Sequence, residues 1–188
     1  KLLATTPLLT SKIVILNLKD GRPMKNNLTK LAIFMHCADQ VKGEFSENIF
    51  GHLHIVYRDV DPDLEEKDEE KDTRITMEDK ANTIWLKREY AGTAPKPQRP
   101  QIVIENNIRE QMENSFESVK VWCLPNPFGE HADKFDTTVS KMRDEIDIQT
   151  EEPRMFDDEI ITGSNLGCFI GTLCNILNDA KGDLAEIL

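Results

Sequence analysis

The sequence predicts an α/β fold with a mostly parallel sheet flanked by helices. Two observations carry this. Short apolar runs rich in Val and Ile alternate along the chain with segments of helical periodicity. That order, strand then helix repeated, builds βαβ units, which place their strands in parallel. At 188 residues the chain has the length of one domain with a real core.

Residues 12–18, Lys-Ile-Val-Ile-Leu-Asn-Leu, form a β-branched run closed by Lys19-Asp20-Gly21, a strand and its turn. Asn26 or Asn27 then caps a helix reaching about Val41, with Leu28, Leu31, Ala32, Met35 and Ala38 on one face and Gly43 just past its end. A second strand covers 52–58, His-Leu-His-Ile-Val-Tyr-Arg. Residues 61–80 hold ten acidic and four basic residues, −6 of the total charge of −11, and predict a solvated, mobile insertion. A short helix is expected around Ile84, Trp85 and Leu86. Residues 94–100 contain Pro95, Pro97 and Pro100 and read as a loop. Residues 102–117 read as a helix with Ile104, Ile108, Met112 and Phe116 at four-residue spacing. Val119–Leu124 is a third strand, stopped by Pro125 and Pro127. Two further helices are expected: 133–148, carrying Phe135, Val139, Met142 and Ile146, and 164–178, carrying Leu166, Phe169, Ile170, Leu173, Ile176 and Leu177. On the last helix Gly163, Gly167 and Gly171 recur every four residues, a pattern that predicts close contact with another helix. Residues 1–178 read as one unit, and 179–188 as the start of a linker or helical region.

The charge balance is 23 − 34 = −11, with a pI near 4.9. It argues against nucleic acid or an anionic membrane as partner, because phosphate contacts need a Lys/Arg surface. No segment approaches the ~18 apolar residues of a membrane span, and the apolar stretch at the start is too short for a signal peptide. A start without Met suggests a fragment or a trimmed chain. Cys37, Cys123, Cys168 and Cys174 lack metal-site spacing and read as buried reduced thiols, in keeping with a cytoplasmic protein.

In open α/β sheets ligands bind beyond the carboxyl ends of the strands. Three such ends are present: Asn17–Asp20, Arg58-Asp59 and Pro125-Asn126-Pro127. A carboxylate there can accept two hydrogen bonds from the N–H/NH₂ edge of guanine, and a neighbouring Arg can lie on the ring. Asn17-Leu18-Lys19-Asp20 has its Lys in the wrong place for a guanine-specifying Asn-Lys-x-Asp. The chain contains no G-x-x-x-x-G-K-[ST] phosphate loop, no G-x-G-x-x-G and no G-x-S-x-G. His52 and His54 share one strand face, and with His36 and His131 they read as ordinary histidines rather than zinc ligands. No catalytic residue and no metal ligand is therefore assigned from the sequence.

From Ala4-Thr-Thr-Pro-Leu-Leu-Thr-Ser11 onward the sequence resembles the second half of the G domain of atlastins and guanylate-binding proteins, large dynamin-related GTPases. The similar blocks come in the family's order. They are Leu8–Leu18, the helix with Leu28, Leu31, Phe34 and Ala38, the strand ending in Arg58-Asp59, Phe116–Gly129 with its Leu-Pro-x-Pro segment, and Ile161–Leu177. Phe128 is an insertion relative to the family's Leu-Pro-x-Pro-Gly. The resemblance implies an incomplete P-loop-NTPase-like G domain lacking its N-terminal strands, in which Asp59 reads guanine and Arg58 packs beside it. It implies a guanine-cap loop at Asn126, Pro127 and Phe128. It also implies a parent that hydrolyses GTP with Mg²⁺ and forms a homodimer through its G domain, with the phosphate loop, switches and Mg²⁺ ligands outside this chain. The alternative is a non-hydrolysing relative that acts as a protein-interaction module.

Overall fold

The computed structural model describes residues 8–19, 21–28, 31–32, 35, 50–68, 73–89, 92, 96–156 and 159–179. Its centre is a three-stranded parallel sheet of β1 (Ile13–Leu18), β2 (Phe50–Arg58) and β5 (Phe116–Leu124), with β2 in the middle. Ile13 pairs with His52 and Leu18 with Tyr57; Phe50 pairs with Phe116 and Arg58 with Leu124. All of β2 is buried except His52 and Arg58. That is what a central parallel strand requires, since helices cover both of its faces. Alternation along the strand assigns those faces. Tyr57 points to one side, where its hydroxyl accepts a 2.9 Å hydrogen bond from the Trp85 indole. His52 and His54 point to the other.

The crossover from β1 to β2 includes helical residues 26–28, 31–32 and 35. Leu28, Leu31 and Met35 bury their side chains in the core, as the periodicity predicts. Helicity begins at Asn26, and Asn27 is itself fully buried. Phe34, Ala38 and Gly43 lie outside the described residues.

Between β2 and β5 the structure departs from expectation. The acidic segment is not a mobile insertion over its described residues. It folds into an antiparallel hairpin, β3 (Glu65–Asp68) with β4 (Thr73–Thr76), followed by the first turn of α1 (Met77–Leu86). Thr76 caps α1, its hydroxyl accepting from Asp79 N at 3.1 Å. Opposite charges stay paired at the surface, Lys80 with Glu66 and Arg74 with Glu65. Met77, Ala81, Ile84 and Trp85 form the buried stripe of α1. Charge density signalled solvent correctly for the exposed face, but four inward-facing residues of ten are enough to anchor this helix.

The Pro-rich loop ends early. Lys96–Gln98 is a short 3₁₀ turn, and α2 (Arg99–Ser115) starts with Pro100 in its first turn, where the missing N–H costs nothing. The buried face of α2 is Ile102, Glu105, Ile108, Arg109, Met112 and Ser115. Ile104, expected inside, is 51% exposed, and Phe116 already belongs to β5. The expected stripe was misphased because two of the inward positions are ionic.

Next, α3 (Ala132–Thr150) lies against the sheet with Phe135, Val139, Met142 and Ile146 half-buried and no residue fully buried. A two-residue antiparallel pair, β6 (Met155–Phe156) with β7 (Glu159–Ile160), leads to α4 (Gly163–Asp179). Among the described residues a Cβ added at Gly163, Gly167 or Gly171 would meet nothing within 4 Å, so these residues do not show the close helix contact predicted for the glycines. Cys168 is exposed rather than buried, while Cys123 is partly buried; both are free. Cys37 and the side chains of Phe169, Leu173, Cys174, Ile176 and Leu177 lie outside the described residues.

Two substitutions test this packing. Met77 is 1% exposed within the main core cluster. Met77→Ala should lower unfolding free energy by about 2–5 kcal/mol in urea titrations, whereas a mobile segment would tolerate the change. At Gly51 a Cβ would sit 2.0 Å from the Lys12 carbonyl oxygen, which already accepts from His52 N at 2.8 Å. Backbone cannot yield as a side-chain tip can. Gly51→Ala should cost about 3 kcal/mol or more, read by the same titration.

Candidate functional site

The carboxyl ends of β2 and β5 converge. β2 runs out at Arg58, and Asp59 takes φ 60°, the only positive φ among the described non-glycine residues. Asp and Asn tolerate this left-handed conformation better than most residues. The turn lets Val60 N donate to Leu124 O at 3.1 Å, which folds the chain over the end of β5. Gly21, after β1, lies so close that a Cβ there would stand 3.0 Å from the Asp59 carbonyl oxygen. After β5, Pro125 is buried and Asn126 makes a turn. The Asn126 Oδ1 accepts from Phe128 N at 2.8 Å, and its carbonyl accepts from Gly129 N at 3.2 Å.

These two turns enclose a shallow cavity of about 280 Å³, lined by Asp59, Val60, Asp61, Asn126, Gly129, Glu130 and His131. Of the residues singled out in the sequence, the structure brings Asp59 and Asn126 together here. Arg58, Pro127 and Phe128 are exposed and do not line the cavity; Phe128 is 97% exposed. Asp61, Glu130 and His131 were not singled out for this site. Asp61 follows the end of β2 by three residues, but Glu130 and His131 lie six and seven residues past the end of β5, and no sequence signal marked them.

Three carboxylates and one imidazole make the cavity electronegative. His131 Nε2 stands 3.4 Å from a carboxylate oxygen of Asp63 and 3.9 Å from Asp61. Asp63 is also bridged by Lys134 at 2.8 Å, and that hydrogen bond holds its carboxyl below the usual range. Such a cavity favours a donor-rich or cationic ligand edge and repels phosphate. Among the described residues no group of three or more His, Cys, Asp and Glu side chains is placed to hold a metal ion.

A second cavity, about 380 Å³, shares Val60 with the first. Thr76, Met77 and Glu78 of the α1 start, Cys123 and Pro125 at the end of β5, and Lys141 of α3 contribute to it. The Cys123 thiol is pushed up to about 12 by burial, with Glu78 adding to the shift. At neutral pH it is therefore a thiol rather than a thiolate.

No family model and no curated protein matches the chain.

Proposed function

We propose that this chain is the guanine-recognising part of a GTP-binding and GTP-hydrolysing protein, with Asp59 reading the base. The observation supporting this is the placement of Asp59 at the carboxyl end of the central parallel strand. There it shares a cavity with Asn126 from the end of the neighbouring strand. Guanine presents two adjacent N–H donors on one edge, and a carboxylate accepts both. The acidic surround suits that edge and disfavours triphosphate, so in this reading the phosphates extend away from Asp61 and Glu130. Asn126 supplies a side-chain amide on the second wall. Arg58 stands outside the cavity and frames the base at most from its rim. The 188 residues contain no phosphate-loop motif, and in this reading phosphate binding, Mg²⁺ and hydrolysis fall to other residues of the parent protein.

Asp59→Asn is a clean test because Asn also tolerates the left-handed backbone. The substitution turns one acceptor into a donor facing a donor. In the full-length protein it should weaken guanine-nucleotide binding by about 2–4 kcal/mol, or roughly 30- to 1000-fold. Xanthine carries a carbonyl where guanine has its amino group, so xanthosine nucleotide should gain relative to guanosine nucleotide. Arg58→Ala should leave that preference unchanged. Calorimetric titration with both nucleotides decides. An unaltered guanine-to-xanthine ratio in Asp59→Asn would mean the carboxylate does not read the base.

A further inference from the structure

The side chains lining the cavity at the ends of β2 and β5 have a hydrogen-bonding capacity that can be counted. Asp59, Asp61 and Glu130 carry carboxylates, which only accept. Asp61 Oδ1 already accepts from Asp63 N at 3.0 Å. His131 turns its Nε2 toward the Asp63 carboxylate at 3.4 Å, which leaves Nδ1 as an acceptor in the neutral ring. Asn126 is the exception. The Phe128 N–H can only donate, and it lies 2.8 Å from the Asn126 side chain, so the atom facing it is Oδ1. That bond occupies the acceptor of the amide. Its donor, Nδ2, has no partner among the described residues.

The amide is also held in place. Asn126 stands between Pro125, which is buried, and Pro127. A residue before proline is confined to extended backbone, and proline fixes its own φ. The Asn126 carbonyl accepts from Gly129 N at 3.2 Å, which closes the turn around the side-chain bond. On the other wall the turn at Asp59 is pinned to the end of β5, because Val60 N donates to Leu124 O at 3.1 Å. The Asp59 carboxylate likewise has no partner among the described residues. The cavity thus offers an unpaired acceptor from the end of β2 and an unpaired amide donor from the end of β5.

We infer that Asn126 is a specificity-determining residue: its Nδ2 donates to the carbonyl oxygen O6 of the base while Asp59 accepts from the N–H groups beside that carbonyl. The inference rests on the guanine reading above and adds a second, separate contact to it. An acceptor next to a donor is the complement of a ring N–H next to a ring C=O. A carboxylate alone reads only the N–H half of that edge. The amide reads the other half, and it opposes a purine with an amino group at position 6, because donor would then face donor. The acidic surround sharpens the effect. Without the Asn126 donor, O6 would meet carboxylates on every charged side chain of the lining except His131. A site that donates to a ligand oxygen rejects the analogue lacking it, since the donor is left unpaired.

Calorimetric titration of the full-length protein with the diphosphates of guanosine, inosine and 6-thioguanosine tests it. 6-Thioguanine keeps both N–H groups and replaces only O6, by sulfur, a weak acceptor. Inosine keeps O6 and the ring N–H and lacks only the amino group. The unaltered protein should prefer guanosine to 6-thioguanosine diphosphate about tenfold. Asn126→Ala should bring that ratio close to one and leave the guanosine-to-inosine ratio as it was. Asn126→Asp keeps an oxygen for Phe128 N, so the turn survives, yet it sets a carboxylate against O6. It should weaken guanosine diphosphate by at least about tenfold and 6-thioguanosine diphosphate by less. Asp59→Asn should do the reverse of Asn126→Ala, shifting the guanosine-to-inosine ratio and sparing the 6-thioguanosine one. If Asp59→Asn behaves so while the 6-thioguanosine ratio stays the same in Asn126→Ala, the role of Asn126 is overturned and the guanine reading stands. If guanosine diphosphate does not bind, or neither variant alters any ratio, both are overturned.

Discussion

A central strand of a parallel sheet has to satisfy two faces at once, and β2 does so with two different chemistries. On the Tyr57 side the solution is mainly apolar: Trp85 of α1 packs there and its indole is satisfied by the tyrosine hydroxyl. On the His54 side a buried imidazole must be hydrogen-bonded at both nitrogens or cost stability. Trp122 and Gln149 supply those bonds, which brings β5 and α3 to the same strand. The strand also determines where a ligand can approach. Both long neighbours end beside Arg58 and Asp59, and the chain turns there through a residue at positive φ.

The sheet was legible because buried parallel strands are nearly continuous apolar runs, and 12–18, 52–58 and 119–124 are such runs. Their extensions to Phe50 and Phe116 were less so, since both follow polar or helical sequence. The hairpin and the start of α1 were hidden by composition. Fourteen of the twenty residues from 61 to 80 are charged, while the decisive one, Met77, is a single side chain. The α2 face was misphased for a related reason: apolar counting places Ile104 inside, but Glu105 and Arg109 occupy the inward positions. Periodicity finds buried apolar groups and passes over buried charge.

At the candidate site, Asp59 and Asn126 were legible from the rule that ligands sit beyond strand ends. Asp61, Glu130 and His131 were not, because a one-dimensional reading cannot say which way a turn brings its second and third residues back. Nor does Arg58 follow Asp59 into the cavity. Adjacent residues at a strand end point to opposite sides, so a dipeptide motif does not guarantee a two-residue site.

Arg109 shows what fixes the opposite half of the molecule. Its side chain is fully buried; Nε donates to the Ile84 carbonyl at 2.8 Å and one terminal nitrogen to Asn106 Oδ1 at 2.9 Å. The other stands 3.5 Å from Glu89 and 4.0 Å from Glu105. Burial lowers its pKa while Glu89 and Glu105 raise it, but guanidinium is so strong a base that it stays charged through any physiological range. It thereby ties the end of α1, the segment after it and α2 into one arrangement that does not titrate. α3 is held instead by the Gln149 bond to His54 and by the Lys120–Glu145 ion pair at 3.4 Å, with no fully buried residue of its own. The two sides of β2 thus differ in kind: one is locked by a permanent charge, and the other by hydrogen bonds that run from the Trp122 indole through the buried His54 ring to Gln149.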